Sequence, residues 1–306
     1  MDYSHIKLSI AIVTRNRPAS LDRTLKSLRA QEVHPWEVIV SDDSDDEHSA
    51  EAVALAKNYG CRYLSGPRRG LYANRNHVAL ACRGTHIRTM DDDHEFPADH
   101  NAACLDAVVL DPKAIWIIGE YLPTQQKHQM PDCPGQLHPR GFSVMPPDPQ
   151  NCWAISDGAS VYPRVIFDCG LRYLDDYKFG AAYLEFGSRL HWLGYRIRHL
   201  SKTYIIHHYD PATRSSLDLR TDLASRFCAM LCHAYIYQPT PVNQAFCRME
   251  MLKQIVLHRG LALKAISEAG LGFNRQRNHI LGHAASCQAS TSGKPKAHKP
   301  QNLMSL

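Results

Sequence analysis

The chain repeats one local pattern: a short apolar run rich in β-branched residues, a polar cluster, then a segment with helical spacing. "LSIAIVT" (8 to 14) stops at "RNRPAS", and "SLDRTLKSLRAQ" then puts Leu21, Leu25 and Leu28 on one helix face, with Ser20 as the expected cap and Asp22 in the first turn. "WEVIVSDDSDD" and the helical "AEAVALAKNYG" repeat the unit, as do "CRYLSG" with "LYANRNHVALAC" and "THIRTM" with "AACLDAVVL"; "AIWIIGEY" is a fifth strand. Strands that alternate with helices and are apolar along their whole length predict an α/β fold with a mostly parallel sheet covered on both faces. In such sheets ligands bind beyond the carboxyl ends of the strands. Four of these ends carry polar clusters: Thr14 to Arg17, Asp42 with Asp43, Arg68 with Arg69, and Asp91 to Asp93.

With 306 residues, 44% of them hydrophobic, the chain is long and apolar enough for one large core or two modest ones. A formal charge of +5 is diffuse except in the tail, which speaks against a nucleic-acid footprint and weakly for anionic ligands. No apolar stretch has the length of a membrane span and the N-terminus does not read as a secretory signal, so a cytoplasmic protein is expected. The ten cysteines form no C-x-x-C pair and read as core thiols.

Residues 122 to 152 lack periodicity and read as a long loop over the site. "SDGASVYPRVIFDCG" follows as turn, strand and helix start, then the helix "LEFGSRLHWLGYRI" with Gly194 as its stop and a short strand, then a separate strand, "KTYIIHHYDP". From 213 to about 273 the spacing is helical, broken at "QPTPVN"; the last thirty or so residues read as a basic, disordered tail.

Three consecutive carboxylates where a buried strand ends are tolerable if solvated or bridged by a cation. A solvated turn is the ordinary explanation of an acidic run. The position beside other polar strand ends favours a cation, and hard oxygen ligands suit Mg2+ or Mn2+ completed by substrate phosphates.

The chain resembles the GT-A nucleotide-sugar glycosyltransferases, most closely the inverting group called glycosyltransferase family two. The matching stretches are "SIAIVTRNRPASLDRTLKSLRAQ", "EVIVSDDSDDE", "GLYANRNHVALACRGTHIRTMDDDHEFP", "GASVYPRVIFDCG" and "RLHWLGYRI" before "IIHHYD". The resemblance implies a GT-A catalytic domain over 1 to 212, a helical region over 213 to 280 and the tail over 281 to 306. It also implies transfer of a sugar from a nucleoside diphosphate, expected to be uridine-linked, to a hydroxyl of a glycan, lipid or small molecule. By the same resemblance Thr14, Arg17 and Asp43 line the nucleotide pocket, Arg75 supports the acids or a phosphate, and Asp157 touches donor sugar or acceptor. Asp91, Asp92 and Asp93 match the DXD element: Asp91 and Asp92 are expected on the donor, and Asp92 or Asp93 on the metal, in two possible registers. His207 or His208 completes the metal or diphosphate site; neighbours in a strand face opposite ways, so only one can serve.

The family's Glu-Asp pair, which holds the general base, is missing. Glu185 is the nearest carboxylate and the expected base, with Asp175 and Asp176 in reserve. Capping competes for Asp42 and Asp43, and a helix-start role competes for Glu185. A nucleotidyltransferase of similar architecture would want glycines in "TRNRPAS", which has none; a nucleotide-sugar-binding relative without turnover is the other alternative. For "MEMLKQIVLHRGLALKAI" packing on the catalytic part is favoured, with contact to the inner face of the membrane or to a second copy open.

Overall fold

The computed structural model describes residues 2–123, 133, 135–209 and 218–290, the last ten of these by backbone alone. Its elements run β1 (Leu8–Thr14), α1 (Pro18–Arg29), β2 (Glu37–Asp42), α2 (Asp46–Asn58), β3 (Arg62–Ser65), α3 (Leu71–Ala81), β4 (His86–Asp91), β5 (His94–Glu95), α4 (His100–Leu110) and β6 (Ile115–Tyr121). There follow β7 (Gln136–Leu137), β8 (Ser143–Val144), β9 (Ala159–Pro163), α5 (Val165–Asp168), α6 (Ala182–Trp192), β10 (Ile197–His207), α7 (Leu219–Cys232), a π-helical turn over His233–Tyr237, α8 (Pro241–His258) and α9 (Gly260–Ser290).

Eight strands form one sheet in the order β3-β2-β1-β4-β9-β6-β10-β5. The pairs β2/β3, β1/β2, β1/β4 and β6/β10 are parallel; β9 and β5 pair antiparallel with their neighbours. The expected α/β architecture is therefore present. Strand alternation sorts the core into two layers: Leu8, Ile10 and Ile12 point with Leu21, Leu25 and Val40 to one side, while Ala11, Val13 and Ile39 point with Tyr72, Val78 and Phe186 to the other. The C-terminal helices add a third cluster around Phe227, Met230 and Ala265.

Several elements differ from the expectation. Helix α1 starts at Pro18 with Arg17 in the cap position, ahead of Ser20, because proline's fixed φ suits the first helical residue. The two strands expected between Tyr195 and His208 are one, β10, whose pairing with β6 shifts register between Leu200 and Tyr204. The continuous helical stretch expected over 249–266 is two helices, divided where Arg259 takes φ 46. Within the expected loop 122–152, β7 pairs with β8, and Leu137 is buried against Leu184 and Ala229, so this part packs on α6 and α7; residues 124–132 and 134 lie outside the described residues. Helix α9 continues to Ser290, ten residues into the expected tail, and 291–306 lie outside the described residues. Among the described cysteines none is paired, and all but Cys61 and Cys169 are buried, as core thiols should be. No helix is long and apolar enough to cross a membrane among the described residues.

Candidate functional site

Because β1, β2, β4, β6 and β10 run the same way, their carboxyl ends share one edge of the sheet. Antiparallel β9 starts at that edge directly after Asp157 and Gly158. The edge therefore gathers Thr14, Asp42 and Asp43, Asp91 to Asp93, Glu120, Asp157 and His207 from six separate parts of the sequence.

The three aspartates take three different environments. Asp91 ends β4 and accepts both of its bonds from Arg75 Nη2, at 2.6 and 2.8 Å; Arg75 Nη1 also pairs with Asp157. Arg75 is wholly buried on α3, against the stacked rings of Tyr72 and Tyr173. Burial raises the Asp91 pKa, but Arg75 outweighs it and the carboxyl stays below the usual range. Gly158, at φ +65, admits this packing: a Cβ there would lie 2.7 to 2.8 Å from the Asp91 carboxylate and 3.0 Å from Arg75.

Asp92 is buried, accepts from Thr14 Oγ1 at 2.6 Å and pairs with Arg17. Burial pushes its pKa up to about 7, against the Arg17 charge and with help from the charge of Asp93. Asp93 accepts from Arg17 Nη1 at 2.9 Å. Burial opposes its charge too, but His207, His94 and Arg17 hold it far below the ordinary carboxylate range. Of the two neighbouring acids, Asp93 is the one whose surroundings favour the charged form, and burial works against the charge of Asp92.

Directly after the triplet the chain turns back as β5, pairing His94 with His207 of β10. This brings Asp93, His94 and His207 together, with one ligand atom from each within 4.8 Å of the others. Asp93 Oδ1 and both ring nitrogens of His94 are buried without a hydrogen-bond partner. His207 Nδ1 bonds Glu120 Oε2 at 2.7 Å, which aims Nε2 at Asp93, 3.5 Å away. A histidine whose far nitrogen is held by a carboxylate, facing orphaned donors, is the arrangement metal ligands use. Burial works against the His207 charge, yet Asp93 and Glu120 push its pKa up to about 10; burial pushes that of His94 down to about 4. The donors fit a divalent cation, and a carboxylate with two imidazoles suits Mn2+ better than Mg2+.

Beside this group lies a cleft of about 590 Å3 lined by Asn16, Arg17, Ser20, Arg23, His48 and His207. The N-terminus of α1 opens into it, so backbone N–H groups and cations together favour an anion there. Asn16 and Arg68, in the loops after β1 and β3, have φ of 54 and 53, conformations that side chains rarely adopt.

The remaining expected residues divide. Asp43 accepts from the Arg68 backbone N–H at 2.8 Å, and Asp42 from that of Ser44 at 2.8 Å, so both also serve their turns. His208 also lines the cleft but bonds Glu95, at 2.6 Å, and is not part of the Asp93–His94–His207 group. Asp175 pairs with Arg69 and Asp176 with Arg275. Glu185 is not brought to the cleft. It is fully buried on α6, bonded by Arg189 at 3.1 Å and by the Tyr237 hydroxyl. His94 and Glu120 were missed; the sequence signal for His94 was its place next to the acids, and Glu120 offered none beyond ending a strand.

Residues 9–171 match the family model described as Glycosyl transferase family 2. No curated protein matches the chain. Among solved structures the chain is similar to S. aureus TarS 1-349 in complex with UDP, at TM-score 0.56 and 14% identity, over 83% of this chain and 73% of that one. It spans 44% of the longer TarS chain. It is similar to GalNAc-T7 with UDP, GalNAc and Mn2+, at TM-score 0.62 and 15% identity over 85% and 59% of the two chains. The mannosyltransferase PcManGT from Pyrobaculum calidifontis, in complex with GDP-Man and Mn2+, gives TM-score 0.57 and 14% identity over 95% and 83%. At such identities these likenesses speak for a common GT-A fold. The family match covers more than half of the sequence, from β1 past β9, and the chain belongs to glycosyl transferase family 2.

Proposed function

We propose that the protein is a metal-dependent inverting glycosyltransferase that moves a sugar from a nucleoside diphosphate, with uridine as the preferred base, to a hydroxyl acceptor. The observation that carries this reading is the convergence of Asp93, His94 and His207, with orphaned donor atoms, beside a cationic cleft. Three of the solved structures it resembles hold UDP, or UDP or GDP-Man with Mn2+.

In this reading Asp93, His94 and His207 hold the cation, whose charge would stabilise the departing diphosphate. Arg17 and the N-terminus of α1 bind the phosphates, and Thr14 holds Asp92 in place. Arg75 fixes Asp91 and Asp157 towards the sugar. The base role passes from Glu185 to Asp157, whose side chain is 31% exposed beside Asp91 and can take the proton from an acceptor hydroxyl as its oxygen attacks the anomeric carbon. Glu120 acts through His207.

Thermal-shift measurements with UDP, GDP and their sugars, with and without Mn2+, test the reading, since a ligand of the native state raises apparent stability. UDP with Mn2+ should stabilise the protein more than UDP with Mg2+ or alone. Asp93→Asn should remove the metal-dependent part, and Glu120→Gln should weaken Mn2+ binding by about 10- to 100-fold. Equal stabilisation with and without metal would overturn it.

A further inference from the structure

Helix α8 is built inside out. Its buried side chains are Asn243, Cys247, Glu250 and Gln254, three of them polar. They form a bonded face: Arg226 reaches Glu250 at 3.3 Å and Gln254 Nε2 donates to the same carboxylate at 2.8 Å. The opposite face carries Val242, Met249, Leu252 and Val256, between 59% and 72% exposed. At 3.6 residues per turn these four fall in one stripe opposite the buried face. Leu263, on the first turn of α9, is also 55% exposed. A solvated helix shows the reverse pattern, and an exposed apolar stripe of this length marks a contact surface.

Charge selects the occupant. Arg248 and Lys253 flank the stripe on its two sides, and Arg259 and Lys264 follow at its end, all exposed. Residues 241 to 280 contain six Arg and Lys but only two acids, Glu250 and Glu268. Glu250 is buried, 3.3 Å from Arg226 and 3.8 Å from Lys253, and Glu268 pairs with Arg220 at 3.0 Å. The sequence beyond adds Lys294, Lys296 and Lys299 and no carboxylate side chain. A second copy is a poor occupant: pairing the stripe with itself would set Arg248 and Lys253 against the same cations, with no exposed acid on that face to answer them.

We propose that the outward face of α8 and the first turn of α9 docks the protein on an anionic bilayer. The apolar stripe enters the interface and the flanking cations meet lipid phosphates. The helix lies on the membrane and does not cross it. This surface shares no residue with the metal and donor site, so its test is independent of the catalytic reading.

The full chain is sedimented with vesicles of phosphatidylcholine alone or of equal parts phosphatidylcholine and phosphatidylglycerol, at low and high salt. The protein should pellet with the anionic vesicles only, and several-fold less at high salt. Leu252→Glu combined with Val256→Glu should abolish pelleting while the melting temperature and the response to UDP with Mn2+ stay unchanged, since both positions are solvent-exposed. Failure of the wild type to pellet, or pelleting of the double variant like the wild type, would overturn the proposal. A wild-type dimer that the double variant turns into a monomer would also overturn it, by making the face a protein interface.

Discussion

Glu185 and Asp93 are both buried acids, but their unused valences differ. Both Glu185 oxygens are occupied, by Arg189 and by Tyr237, whereas Asp93 keeps Oδ1 free and aimed at two imidazoles. An acid with its partners already in place holds the fold together; an acid with a spare oxygen can bind something. Glu185→Gln leaves the Arg189 guanidinium, 3% exposed, without its counter-charge, and should cost about 3–5 kcal/mol of stability. Urea denaturation would read this as a lower midpoint at unchanged slope, with UDP and Mn2+ affinity retained by the folded protein. A variant as stable as the wild type yet unable to turn over would return the base role to Glu185. The sequence did not reveal this environment because Tyr237 lies 52 residues away, and motif spacing alone singled out Glu185. Asp91, Asp92 and Asp93 were legible as a cluster since they sit where a strand runs out. Their separate roles were not, because these depend on Arg75, Arg17 and His207, each brought in by a different element.

Elements were legible where local periodicity decided them. Strands β1, β2, β4 and β6 and helices α1 to α4 follow from apolar spacing, and the parallel sheet from their alternation. Elements that tertiary pairing decides were misread or missed. The two residues of β5 have no signal of their own and exist because β10 offers a partner edge, and the continuity of β10 is set by β6 along its length. The division between α8 and α9 was marked by the Arg259–Gly260 dipeptide but outweighed by the helical rhythm on either side. The turn into β9 shows how an element's start governs the site. Gly158→Ala places a methyl against the Asp91 carboxylate and Arg75 at a φ of +65 that L side chains rarely adopt, and should cost about 1–3 kcal/mol. Because Asp91 and Asp157 share Arg75, the same change should raise the KM for donor more than Glu185→Gln does. A crystal structure of the variant with the Arg75 pairs intact and unchanged kinetics would refute this.

Over the whole molecule, several histidines outside the Asp93–His94–His207 group are folded in as neutral groups. Burial holds His100 well below its ordinary pKa, assisted by the charge of Arg88, and pushes that of His233 down to about 4. Geometry agrees for His100: Arg88 Nε donates to its Nε2 at 3.1 Å, so the ring proton belongs on Nδ1, facing Thr203 and the Tyr204 carbonyl. Adding a second proton would break the Arg88 bond and set two cations together. For both groups the folded pKa lies below the unfolded value of about 6.5, so between pH 6.5 and 4 the unfolded chain binds protons that the native state refuses. Their stabilising contribution is therefore complete above pH 6.5 and lost as pH falls through that window, by at most about 1.4 kcal/mol per pH unit for each histidine. Melting temperature measured in metal-free buffers should fall as pH drops from 6.5 towards 4.5. His233→Gln, which removes one titrating ring whose Nδ1 has no partner, should flatten part of that fall. An unchanged melting temperature down to pH 4.5 would mean that these rings accept their protons inside the fold.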